Sequence, residues 1–401
     1  MDGHAKTMTA KGGDKADLCR AQVAIDVADP IGEIQSGLGP GPFELVLLFI
    51  NNQADFPALA RQASAQLPAN HVVACTTAGE IGETGYEEGQ IVALAFGASQ
   101  FRACCYPIDL SHWDNPQSET DRLIRTRVAL EENAPDFGSE FAFVVVDGLS
   151  LREDELTGAL APGLGSMQLF GGSAGDGTEF RHTYIALDGE VMENAAIVSV
   201  VRSACPIKVF SLNHLSPTDV KMVVTDADPR HRIVREINAE PAAREYARIV
   251  GKMPEQLDQF TFAAHPVVVQ VGARHHVRAI QRVNEAGELV FFSAIDDGMV
   301  LTLAESEDMA SHLERELSRL SEDQEPQAIL GCDCILRRLE AGQRQQLRKV
   351  SEVLRAHNVR GFSTYGEQSG GLHVNHTMTG VAIYPPSPDD PEQTDHPDDT
   401  D

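Results

Sequence analysis

The chain has 401 residues and carries 60 acidic against 32 basic side chains, a formal charge of −28. A field of that sign repels phosphate backbones and anionic lipid, which argues against nucleic-acid and membrane-surface roles and leaves basic protein patches as easier partners. Hydrophobic residues make up 42 %, and the 33 glycines and 21 prolines fall mostly between apolar runs. This excludes a disordered or fibrous chain and predicts two or three domains of roughly 100–200 residues each.

Residues 1–20 are polar, lack an apolar signal-peptide core, and read as a disordered lead-in. Phe43–Ile50 is a nearly unbroken apolar run, as expected of a strand covered on both faces. A helical spacing follows over Asp55–Leu67, then a second buried strand over His71–Cys75. Gln90–Gly97 and Phe101–Ile108 read as the two arms of a hairpin, Asp121–Asn133 as an amphipathic helix, and Phe141–Asp147 as another buried strand. A glycine-rich turn is expected over Gly171–Gly177, and Asp188-Gly189 marks a hairpin between Thr183–Leu187 and Val191–Val201.

Beyond residue 210, strands are predicted over Val267–Val271, Val277–Val283, Leu289–Ala294 and Ala328–Leu336. Asp308–Leu320 reads as a polar helix. In Gln343–Leu354, the spacing of Leu347, Val350 and Leu354 puts one apolar stripe on a helix. Residues 385–401 hold acidic side chains with no base and read as a disordered tail. No internal repeat is legible. The apolar runs are strand-sized, below the roughly 20 residues a spanning helix needs, so a cytoplasmic protein is expected.

Three patterns bear on chemistry. Gly171-Gly-Ser173-Ala-Gly175 has the GxSxG form of a nucleophile elbow, but the segment after it is strand-like, where an elbow needs a helix. The alternative is a tight glycine turn. Cys332-Asp-Cys334 is a CxC pair that reads either as a metal ligand set or as two ordinary thiols. The seven cysteines show no disulfide framework. Histidines concentrate in the second half. His373 and His376 lie in a strand-like run, where positions three apart face opposite ways. His265 sits between Phe260–Ala264 and Val267–Val269, an apolar setting that favours the neutral, ligating imidazole which a haem site needs.

Several segments in order resemble the FIST family. Thr76-Thr-Ala-Gly-Glu-Ile-Gly82, Leu169–Asp176 with Asn194-Ala-Ala196, and Glu236-Ile-Asn238 with Pro241-Ala242 resemble the FIST N-terminal domain. Gly361–Gln368 followed by His373–Thr377 resembles the end of the FIST C-terminal domain. The resemblance implies a mixed α/β fold of two sheet-based domains, 21–209 and 210–384, and a sensory protein rather than an enzyme. Phe262–Pro266, Val277–Gln281 and Leu289–Gly298 are similar to the haem-binding, nitric-oxide-sensing NosP branch. That branch implies haem b, nitric oxide as ligand, and control of a sensor histidine kinase or a diguanylate cyclase/phosphodiesterase. It also implies His265 as first axial ligand and His373 as second, with His376 as a further cofactor-binding residue standing where the family carries glutamine. A homo-oligomer is compatible with it. A FIST module for an amino-acid-like ligand, and an esterase using Ser173, are the alternatives.

Overall fold

The computed structural model describes residues 18–386 apart from 112, 114 and 273. Residues 1–17 of the expected lead-in and 387–401 of the expected tail lie outside them. Leu18–Arg20, also assigned to the lead-in, instead open the first strand.

Three units of one topology follow each other along the chain. The first runs β1 (Leu18–Ala24), α1 (Pro30–Leu38), β2 (Phe43–Asn51), α2 (Phe56–Gln66), β3 (Ala69–Thr77), a hairpin β4 (Glu80–Gly82) and β5 (Gly85–Glu87), and β6 (Gln90–Gly97). The second runs β7 (Phe101–Asp109), α3 (Pro116–Asn133), β8 (Ser139–Val146), α4 (Glu153–Leu164), β9 (Gln168–Ser173), the hairpin β10 (Ile185–Leu187) and β11 (Glu190–Met192), and β12 (Ala195–Ser203).

The third unit begins with β13 (Ile207–Leu212). An insertion follows, consisting of β14 (Leu215–Asp228), β15 (Ile233–Ile237), β16 (Glu240–Pro241), α5 (Ala242–Ile249), α6 (Gln259–Ala264), β17 (Val267–Val271), β18 (Arg274–Val277), β19 (Ile280–Val283), β20 (Leu289–Phe291) and β21 (Val300–Ser306). The unit resumes with α7 (Met309–Leu320), β22 (Ala328–Cys334), α8 (Ile335–Gln343), α9 (Leu347–Ala356), β23 (Val359–Thr364), the hairpin β24 (Glu367–Ser369) and β25 (Leu372–Val374), and β26 (Met378–Ile383).

Each unit builds one six-stranded sheet, ordered β1-β6-β2-β3, β7-β12-β8-β9 and β13-β26-β22-β23, with the central pair parallel. Each sheet is completed by a hairpin from another unit. β10–β11 add to β3, β24–β25 to β9, and β4–β5 to β23. The exchange is cyclic, so the three units close on one another. No repeat was expected from the sequence; the structure shows three. The insertion forms its own eight-stranded sheet. The mixed α/β class is as expected, and the sheets cross residue 210 because hairpins from both sides of it are traded.

The apolar runs explain the layering. Alternate residues of β2 face opposite cores: Leu45, Leu47 and Phe49 join a central cluster, while Val46, Leu48 and Ile50 pack under α1 and α2. β8 repeats this, with Phe141, Phe143 and Val145 central and Ala142, Val144 and Val146 under α3 and α4. Phe49, Phe170 and Phe362, one from each unit, meet in the central cluster, and Phe49 stacks on Phe362 at 4.5 Å between centroids.

Three expectations need correction. β6 and β7 are not a hairpin, because they pair into different sheets. Gly171 and Gly172 do not lie in a turn but inside β9, where a Cβ on Gly171 would stand 2.0 Å from the Val144 carbonyl oxygen. The strand predicted to reach Leu336 stops at Cys334, and α8 begins there.

Candidate functional site

The strands β3, β9 and β23 end in one four-residue pattern: Thr77-Ala-Gly-Glu80, Ser173-Ala-Gly-Asp176 and Thr364-Tyr-Gly-Glu367. The three turns meet. Gly175 N donates to Thr76 O at 3.1 Å, Ala78 N to Ser363 O at 2.9 Å, and Ser173 N to Gly366 O at 2.8 Å. In the first and third turns the threonine hydroxyl donates to the buried carboxylate three residues on. Asn51 Nδ2 and Gln90 N, each at 3.1 Å, add to Glu80, and Thr377 N at 3.3 Å adds to Glu367. Burial raises the pKa of both carboxyls. Asp176 differs. It gathers the next loop by accepting from the amides of Phe180, Arg181 and His182 at 2.8, 2.8 and 2.9 Å, and from the Tyr365 hydroxyl.

A cleft of about 400 Å³ opens where these turns meet α8 and the insertion. Its walls include Asn51–Gln53, Ala78–Gly79, Asp176–Glu179, Arg338 and Gln343 of α8, and Phe260 of α6. Arg338 reaches over the Tyr86 ring, 5.4 Å from its centroid, and donates to Glu87 O at 3.2 Å and to Glu88 Oε1 at 3.0 Å. The approach depends on Gly79. Its φ is +119°, and a Cβ there would sit 1.7 Å from Arg338 Nη1.

Behind α8 lies a buried ionic network. Arg337 Nε donates to Asp333 Oδ1 at 2.6 Å, Arg337 Nη1 to His214 Nδ1 at 2.8 Å, and the Tyr86 hydroxyl to Asp333. His214 Nε2 and His376 Nε2 stand 2.9 and 2.8 Å from one oxygen of Glu340. Two imidazoles and a carboxylate within 4.8 Å have the make-up of a metal site. The protonation pattern argues otherwise. A guanidinium only donates, so His214 Nδ1 accepts, and its proton resides on Nε2, facing Glu340. A cation there would have to displace that proton beside a fixed arginine. The cluster therefore ties α8 to the β13–β14 link and to the turn before β26.

Burial holds the His214 pKa down to about 3, and burial also lowers those of His265, His312 and His373. Each of these groups binds a proton more readily unfolded than folded. Their stabilisation is therefore full above the ordinary histidine pKa of about 6.5 and is lost as pH falls, for His214 at about 1.4 kcal/mol per pH unit. The raised carboxyls of Glu80 and Glu367 act with the opposite sign, so the His214 share is read against a His214→Gln variant. Between pH 7.5 and pH 5.5 the urea midpoint of the native chain is expected to lose more than that of the variant. An equal pH dependence in the two would remove this account.

The predicted site residues are not brought together. His265 closes α6. Its ring is half-buried and neutral, its carbonyl accepts from Tyr246 OH at 2.6 Å, and it lines none of the clefts described here. His373 lies in β25 and is 1 % exposed. Gln368 Nε2 lies 3.3 Å from its Nδ1, and the imidazole Nε2 packs against Gly366, only 2.8 Å from where a Cβ would stand. His376 occupies a left-handed position, φ +54°, with Nε2 held by Glu340. His373 and His376 thus do not fit axial ligation as they stand: the first ring is enclosed against backbone, and the second is spent on a carboxylate. Of the three, His265 alone is partly exposed and not held by a carboxylate.

Ser173 is the last residue of β9, fully buried, and accepts from Gln368 Nε2 at 3.0 Å. It has neither the helix nor the histidine contact of a nucleophile elbow. Cys332 and Cys334 are buried in β22 with thiol pKa values raised by burial, and among the described residues neither joins a cluster of metal-ligating side chains. Arg337, Arg338 and Glu340 were missed as functional residues. Their signal was available: Asp333, Arg337, Glu340 and Arg344 recur at four, three and four residues, a charged stripe on a buried helix.

Residues 44–240 match the family model of the FIST N domain, and residues 242–370 that of the FIST C domain. No curated protein is matched. Among solved structures, a crystal structure of a chorismatase overlaps 91 % of this chain and 98 % of its own at 9 % identity, with a TM-score of 0.32, too slight a likeness to carry an argument.

Proposed function

The chain belongs to the FIST family, with a FIST N domain followed by a FIST C domain, and we propose that it is a sensory module that takes a small amino-acid-like ligand in the cleft beside Arg338. The observation carrying this reading is that segments of all three units and the insertion converge there on one guanidinium. Its side-chain carboxylate partner, Glu88, is 71 % exposed and thus readily displaced. A ligand carboxylate would take the place of Glu88 on Arg338, and a ligand ammonium would find Glu179 and Glu88 on the rim. The volume suits a small ligand, near the lower end of the roughly 300–1,000 Å³ of such sites. Because the cleft is lined by α6 of the insertion and by all three units, a ligand held there would bridge them and favour the arrangement in which they meet. The reading is of a binding module and not of a catalyst.

Titration calorimetry with the common amino acids is the test. One of them is expected to bind, and Arg338→Gln to raise its Kd at least tenfold, since a charge-assisted hydrogen bond contributes about 1.5–3 kcal/mol. Absence of binding by any, or indifference to Arg338→Gln, would sink the reading.

A second reading rests on His265, whose half-buried imidazole burial inclines to the neutral, ligating form that haem b needs, although it lines none of the clefts. Haem would supply an iron that binds nitric oxide. Reconstitution with haem should then produce a sharp Soret band that His265→Ala abolishes. For either ligand, the resemblance to NosP suggests a sensor histidine kinase or a diguanylate cyclase/phosphodiesterase as recipient, testable by co-purification. No helix among the described residues is long and apolar enough to cross a membrane.

A further inference from the structure

A second cleft, of about 380 Å³, lies between the β8–α4 loop and the insertion. It shares no lining residue with the first. The loop after β9 divides them: Asp176–Glu179 line one and Phe180 lines the other.

Backbone strain concentrates here. Ten non-glycine residues among those described have φ between +48° and +60°. Five are asparagine, aspartate or histidine, which tolerate that region. Of the other five, Leu151, Phe180 and Arg232 all line this cleft. A bulky side chain in that conformation persists only where its surroundings impose it. Leu151 is 43 % exposed, so burial within the chain does not compensate for its conformation.

The walls also have a chemistry. Phe180 packs at 5.5 Å from Phe292 and 4.5 Å from Tyr365 between ring centroids, giving an aromatic wall beside Leu149 and Leu151. Arg232 is already committed to Glu153 at 2.6 Å, and His231 to Asp228 at 2.9 Å. Arg282 is different: it is exposed on the rim, and its side chain has no hydrogen bond or ion pair among the described residues. An uncommitted arginine on the rim of a cleft with an aromatic wall selects a flat apolar body with one anionic group.

From this juxtaposition we infer that the cleft lined by Leu151, Phe180, Phe292 and Arg282 is a binding site for a small aromatic carboxylic acid. The ring lies against Phe180 and Phe292, and the carboxylate pairs with Arg282. Nothing in this depends on the first cleft or on its ligand.

The test is calorimetric titration of the full chain with benzoate, phenylacetate and indole-3-acetate, with benzamide as the uncharged comparison. At least one acid is expected to bind saturably and benzamide at least tenfold more weakly. Arg282→Gln should raise the Kd of the acid at least tenfold and leave benzamide unchanged, while Arg338→Gln changes neither. Arg282 is exposed, so its replacement leaves folding intact, and a matching urea midpoint would verify that. The inference is overturned if none of the three acids binds, if Arg282→Gln leaves their affinity unchanged, or if Arg338→Gln abolishes it.

Discussion

Arg337→Met is expected to destabilise the protein by about 3–5 kcal/mol, read as a lower urea midpoint. Arg337 is among the largest side chains with no exposure at all. Its guanidinium faces Asp333, itself 1 % exposed, and donates to His214. Methionine fills much of the same volume, so the loss is not one of packing. What remains is a buried Asp333 carboxylate with only the Tyr86 hydroxyl as a polar partner, and a His214 Nδ1 with no donor. A carboxylate left uncompensated out of water costs far more than the net value of the pair that was broken. Adding Asp333→Asn removes the orphaned charge, so the double variant should recover a substantial part of the loss. Equal midpoints for the single and double variants would show that charge compensation is not what Arg337 provides.

Gly79→Ala is expected to destabilise the chain and to abolish ligand binding in the first cleft together. The backbone at φ +119° is open to glycine and strained for alanine, by about 1–3 kcal/mol. The new Cβ would also stand 1.7 Å from Arg338 Nη1, so the guanidinium must leave the position from which it faces the cleft. Gly89→Ala is the comparison. Its φ is +71°, yet nothing lies within 4 Å of the Cβ it would gain. That variant should lose stability by a similar backbone penalty and keep its ligand. If both variants bind equally well, Arg338 does not form the site.

Much of the secondary structure was legible because each element follows a local period. The buried strands predicted at Phe43–Ile50 and Phe141–Asp147 announced themselves as apolar runs, and both prove to be covered on two faces, the second ending at Val146. Asp188-Gly189 marked its hairpin because both residues adopt positive φ there, +51° and +85°. The glycines of the motif segments were visible as residues, but their reasons were not. Gly79 makes room for Arg338, 259 positions away, and Gly171 makes room for the carbonyl of Val144 on a neighbouring strand.

The sites were less legible because they are assembled across long separations. His373 looked like a ligand by residue type. Only packing shows that its ring is enclosed against Gly366 and Gln368. Arg338 and Arg282 are two arginines among many in the sequence. Which of them faces a cleft, and which is already committed to a carboxylate, is a property of packing.

By itself the sequence determined the class of fold, the order of most elements and the membership of the FIST family, because apolar period, turn residues and short motifs are all local. Tertiary structure alone decided that the chain is three like units. The repeat lies in sheet order and in which hairpin crosses to which neighbour, and divergent side chains can satisfy that geometry as long as each strand keeps its two buried faces. It also decided where the clefts lie, since they open only where turns from separate units and the insertion are brought together.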